Sequence, residues 1–241
     1  MKGKGEYVLD DFFRVQTTVV LPGNRQATVR TLSEPEVQSR DQQAALAALR
    51  RRRLLDQAEG EERLLLQEEI AQLPLAQVID VLGIYRQNRM ALELRVQSNP
   101  ETIILPDEAS PQEREQVLIQ REAALKSWLE QITRQSTEAG ETERARWREQ
   151  DEATVRAEML QQRIEIEAQI AYGHCFENYT LYYGVQRGRG KRWFASPEET
   201  EQLASVGRNQ LLAAYNEVSG VDPWDMQNFF GTDGSTAASV S

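Results

Sequence analysis

His174 and Cys175 are the one histidine and the one cysteine of the chain, and they are adjacent. Their types suit nucleophilic catalysis or metal ligation. A Cys–His couple works when thiol and imidazole converge within hydrogen-bond distance and a third group orients the base. Adjacent side chains diverge, and no family-type cysteine signature surrounds them. Two ligands do not complete a zinc site. The pair therefore reads as structural or incidental, and the sequence offers no catalytic, cofactor-binding or metal-ligating residue.

Two other patterns could do chemistry. Gly184-Val-Gln-Arg-Gly-Arg-Gly190-Lys191-Arg192 has the look of a phosphate loop. Its glycine spacing is one residue too long, and Arg192 stands where a magnesium-binding Ser or Thr is required. Arg187, Arg189, Lys191 and Arg192 instead make a basic tip beside aromatics. That tip reads as a solvated turn, as a contact for an acidic partner surface or an acidic helix of the same chain, or as a weak nucleic-acid contact. Asp and Glu are abundant, but they lie on highly charged helical stretches with nothing to mark an acid–base couple.

What remains is binding chemistry. Leu118, Leu125 and Ile132 recur every seven residues, with Trp128 and Leu129 on the same side. That spacing makes an amphipathic or coiled-coil seam, interrupted by Arg121. Trp147, Val155, Met159, Ile166 and Ile170 continue an apolar stripe. A stripe this narrow does not hold an isolated helix, so a partner inside or outside the chain is implied. Trp224 with Phe229 and Phe230 reads as a docking peptide or as a plug on the chain's own core. The candidate partner-binding residues are therefore Leu118, Leu125, Trp128, Ile132, Trp147, Met159, Arg187, Arg189 and Trp224.

The elements that position these residues follow from local signals. Residues 1–5 are Gly/Lys-rich and read as frayed, and Tyr7–Val15 as a strand or a helical turn. Two β-branched runs flank Pro22-Gly23-Asn24, which predicts a hairpin within an N-terminal region 1–33. Ser33-Glu-Pro-Glu36 is a capping box with an early proline, opening a helix to Leu55. Arg50–Arg53 in it read as a solvated face or one paired with the acids from Glu59 to Glu69, or else as an anion or nucleic-acid patch. Gly60 reads as a break or kink, and Pro74 restarts the chain within a helical region 34–97. The prolines of 98–110 make a linker. Ser110-Pro-Gln-Glu113 opens a charged helical stretch 111–172, divided at Glu138-Ala139-Gly140. Its halves pair as a hairpin, pack on earlier helices, or pair with copies of themselves. Tyr179–Val185 and Lys191–Ala195 read as strands of a second hairpin, and Ser196-Pro-Glu-Glu199 as the start of a helix closed by Gly220, all within a module 173–230. Residues 231–241 read as a disordered tail. The fold class is mainly α, within α+β.

Across 241 residues the net charge is −10, hydrophobic residues are 40% and charged residues 27%. An acidic surface disfavours bulk nucleic-acid binding, which needs a basic one. No apolar run reaches a membrane span and the start lacks a signal core, so a cytoplasmic protein is expected.

Two stretches resemble tail assembly chaperones and related tail-completion proteins of long-tailed bacteriophages. Val19–Glu34 is similar to their N-terminal hairpin and following helix. Trp193-Phe-Ala-Ser-Pro-Glu-Glu199 with Leu211–Val218 is similar to a late strand-and-helix segment of theirs. Together they cover about a quarter of the chain. The resemblance implies a binding protein without catalytic residues or cofactor, which coats a long helical tape-measure protein in the host cytoplasm. The competing expectation is a coiled-coil structural or adaptor protein of a virion or other assembly, with self-association.

Overall fold

The computed structural model describes residues 16–21, 23–97 and 110–220. The strand or turn expected at Tyr7–Val15, the linker 98–109, Trp224, Phe229, Phe230 and the tail lie outside the described residues. The protein is mainly α with one small antiparallel sheet, an α+β arrangement. The chain forms two compact units. One comprises residues 1–60 and 164–241 and the other residues 61–163, with the division falling inside one helix.

The sheet-containing unit begins with β1 (Gln16–Leu21) and β2 (Arg25–Arg30), paired antiparallel with Leu21 opposite Arg25. The turn between them uses Gly23 at φ 80° and Asn24 at φ 57°, the left-handed region that these residue types enter most readily. Helix α1 (Glu34–Leu55) follows its capping box: the Glu36 carboxylate accepts from the Ser33 backbone N–H at 2.9 Å. The same carboxylate takes the Arg30 guanidinium in a fork, at 2.7 and 2.9 Å. Arg30 thereby ties the end of β2 to the first turn of α1.

Helix α5 (Glu152–Gly184) delivers the chain to β3 (Val185–Arg187), which pairs with β2, and β4 (Lys191–Arg192) closes a sheet of order β1-β2-β3-β4. The two hairpins read from opposite ends of the sequence are therefore neighbours in one sheet. Helix α6 (Ser205–Ser219) packs on the sheet, and Gly220 ends it in the left-handed conformation. Leu21, Ala27, Val29, Leu181, Val185, Phe194, Leu211, Tyr215 and Val218 make the core. Burial of each large side chain there contributes about 1.5–3 kcal/mol.

The second unit holds α2 (Glu61–Gln72), α3 (Leu75–Gln97), α4 (Pro111–Arg148) and the first turns of α5. Gly60 and Pro74 mark the boundaries the sequence assigned to them. The α4 helix runs antiparallel along α3: Arg144 meets Asp80 at 3.5 Å, and Gln87 reaches Thr137 at 3.4 Å. The first part of the charged stretch is thus packed on an earlier helix. The Arg156 guanidinium donates to the carbonyls of Ile70 and of Leu73, the latter at 3.1 Å, and so caps the turn that ends α2.

Three expectations are corrected. Glu138-Ala139-Gly140 is not a break, because α4 continues through it to Arg148. Gly140 is there to let α3 approach: a Cβ on it would lie 2.9 Å from the Gly83 carbonyl oxygen. The true break is at residues 149–151, where Asp151 caps α5 by accepting from the Thr154 N–H at 3.0 Å and its hydroxyl at 2.7 Å. Tyr179–Gly184 is helix, not strand, and the late strand stops at Arg192. Within α5, Tyr179, Tyr182 and Tyr183 meet at the i, i+3, i+4 spacing, with ring centroids 5.0–6.3 Å apart. Their aromatic content had read as β propensity. Ser196 opens a 3-10 segment, Pro197–Gln202, rather than the helix, which starts at Ser205. Buried Thr200 and Asn178 bond each other at 2.9 Å and hold that segment to α5. Arg51 and Arg52 pair with Glu167 and Glu165 of α5, at 2.9 and 3.2 Å.

Candidate functional site

His174 and Cys175 sit mid-way along α5, where consecutive residues point about 100° apart. His174 is exposed and Cys175 half-buried. Burial pushes the Cys175 thiol above its ordinary pKa, and although Arg50 pulls the other way, the net shift is upward. An activated nucleophile needs the opposite shift. Among the described residues, no three His, Cys, Asp or Glu side chains are grouped to hold a metal ion.

The glycine-rich stretch is no phosphate cradle. Gly184 ends a helix, and Gly188–Gly190 form a 3-10 turn between two strands. A phosphate loop needs the reverse order, strand then loop then helix, so that free N–H groups at a helix start face the phosphates.

The nine candidate binding residues separate by exposure. Ile132 at 4%, Trp147 at 5% and Met159 at 4% are buried. Their side chains are packed away from solvent rather than presented to a partner. The Trp147 indole donates to Glu143 at 2.8 Å, which fixes it further. Trp128 is half-buried. Arg187 is exposed, Arg189 lies in the 3-10 turn of the late hairpin, and Trp224 is outside the described residues.

Leu118 and Leu125 are exposed, at 55% and 39%, together with Leu129 at 41% and Ile119 at 61%. The α4 helix therefore carries one apolar stripe in two environments. Its later part, through Ile132 and Trp147, is buried, and its earlier part, Leu118–Leu125–Leu129 at the i, i+7, i+11 spacing, is exposed. A seven-residue repeat drifts by only about 20° per heptad on a straight helix, so Ile132 stays on the side of the two leucines with which the sequence grouped it. The antiparallel register set by Arg144–Asp80 and Gln87–Thr137 brings the end of α3, at Gln97, level with the Leu125–Leu129 turn, and no described part of α3 reaches the stripe beyond it. An open groove runs beside the stripe. The apolar ridge of Leu125, Leu129, Thr133 and Thr137 and the charged ridge of Glu122, Lys126, Glu130, Arg134 and Glu138 line it.

Sequence reasoning missed the aromatic–guanidinium contacts. Arg192 stacks over Tyr182 and Tyr183, at 4.6 and 5.0 Å, and donates to the Tyr182 hydroxyl at 2.7 Å. Arg40 lies 3.9 Å over the Phe176 ring. The signal was available in the aromatic cluster 172–194 with its adjacent arginines, whereas Arg40 comes from distant sequence.

No family model, no curated protein and no solved structure matches this chain. No helix among the described residues is long and apolar enough to cross a membrane.

Proposed function

We propose that this protein is a non-enzymatic tail assembly chaperone, which holds a long helical tape-measure protein in the cytoplasm of a phage-infected host. The observation that carries this reading is the exposed Leu118–Leu125–Leu129 stretch of α4. Apolar residues at that spacing accept the apolar face of another helix, with anchors at i, i+3/i+4 and i+7. The later part of the same stripe is packed on α3, and the part past the end of α3 is left for a client. A net charge of −10 keeps such a protein soluble while it carries an exposed apolar face. The upward shift of the Cys175 thiol supports a binding role over a catalytic one. Coexpression with the tape-measure protein of the same phage, followed by size-exclusion chromatography, tests the proposal. A soluble complex is expected, and a tape-measure protein that stays insoluble or separate overturns it.

A second reading is a coiled-coil structural or adaptor protein of a virion or other assembly. The charges alternating beside the stripe, Glu122, Lys126, Glu130, Arg134 and Glu138, favour it, because such ridges set the register of permanent coiled coils. A chaperone is absent from finished particles and a structural component is present, so mass spectrometry of purified virions separates the two.

A further inference from the structure

Arg187 on β3 and Lys191 on β4 are directly paired across the ladder. Partners at such a position put their side chains on the same face of the sheet, with Cβ atoms about 5 Å apart, and like charges placed so are destabilising. Both residues are exposed, and no carboxylate among the described residues lies within ion-pair distance of either. Elsewhere in this unit guanidinium groups meet acids: Arg30 meets Glu36, Arg51 meets Glu167 and Arg208 meets Glu177, at 2.7–2.9 Å. Arg187 is nevertheless held in place. It lies 5.3 Å over the Trp193 ring and donates to the Trp193 carbonyl at 2.9 Å. Such a contact orients the guanidinium without neutralising it.

We infer that the Arg187–Lys191 face of this hairpin is a docking surface for an acidic peptide segment of a partner protein, whose carboxylates sit between the two opposed cations. Three features favour an acidic peptide over nucleic acid. The described cations on this face number two, enough for a pair of carboxylates but short of a track for a phosphate backbone. The Trp193 face that would stack a base is covered by Arg187, and Tyr182 and Tyr183 are covered by Arg192. The rest of the chain, at net −10, repels an extended polyanion. The inference does not depend on the role of α4.

The test is fluorescence anisotropy with the full chain, using a labelled Asp/Glu-rich decapeptide and an oligothymidylate of equal formal charge. The peptide is expected to bind saturably, more weakly as salt rises, and about tenfold more weakly to the Lys191→Glu variant. Lys191→Glu replaces a like-charge pair with an attractive one, so the free variant should also melt about 1–2 °C higher than the parent. That higher melting point shows the variant is folded. Absence of saturable peptide binding, equal binding by Lys191→Glu, or tighter binding of the oligonucleotide would each overturn the inference.

Discussion

A Cβ placed on Gly140 of α4 would lie 2.9 Å from the carbonyl oxygen of Gly83 on α3, and 3.1 Å from the Gln87 Cβ. The helices approach this closely because neither residue has a side chain. The atom to be displaced is backbone, which cannot swing aside. Gly83 is hemmed in as well, but by the flexible side chain of Arg144.

Gly140→Ala should therefore destabilise the protein by about 1–3 kcal/mol, although glycine-to-alanine in an open helix stabilises by up to about 1 kcal/mol. Gly207→Ala in α6 is the control. Nothing lies within 4 Å of its Cβ position, and it should gain about 0.5–1 kcal/mol. Urea unfolding of the two variants checks the opposite signs.

Glu36 carries a pH dependence. Its burial alone would raise the carboxyl pKa, but the Arg30 hydrogen bonds, then the Ser33 N–H and hydroxyl, outweigh burial and hold it at about 2, against an ordinary 4.5. A folded value below the unfolded one means stabilisation that is present above about 4.5 and lost as pH falls toward 2. Glu36→Gln should therefore be less stable than the parent at pH 6, and the gap should shrink through this window. Thermal unfolding of both proteins across the window measures it.

Cys175 should react sluggishly with iodoacetamide at pH 7.5 compared with an exposed cysteine peptide, because burial raises its thiol pKa. Cys175→Ala should leave client binding unchanged. A rapid alkylation that also abolishes binding would restore the thiol to a functional role.

Local chemistry was legible wherever one residue type decides a conformation. Gly23 and Asn24 specified the first turn, Ser33 with Glu36 the start of α1, Pro74 the restart before α3, and Gly220 the end of α6. The failures lie where a distant element decides. Gly140 looks like a helix breaker until Gly83, on another helix, is placed against it. Tyr179, Tyr182 and Tyr183 look like strand residues until their rings stack along α5 and Ser39 of α1 meets the Tyr183 hydroxyl at 3.0 Å. The real boundary was signalled locally by Asp151 ahead of Thr154, and the glycine overshadowed it. For the candidate site, periodicity found the apolar stripe of α4, but it could not say how far along the stripe α3 would reach.

That division along the stripe yields a stability prediction. Ile132→Ala should cost about 2–5 kcal/mol, as a buried large-to-small change does. Leu118→Glu, Leu125→Glu and Leu129→Glu, all at exposed positions, should each stay within about 0.5 kcal/mol of the parent. Melting curves for the four variants decide it.

Titration of the tape-measure protein, monitored calorimetrically, against the parent and against the triple variant Leu118→Glu/Leu125→Glu/Leu129→Glu tests most directly whether the exposed apolar stretch of α4 holds a helical client. The parent should bind, and the triple variant, at an unchanged helical circular dichroism spectrum and melting point, should not. Equal binding by a folded triple variant would contradict the role assigned to this face.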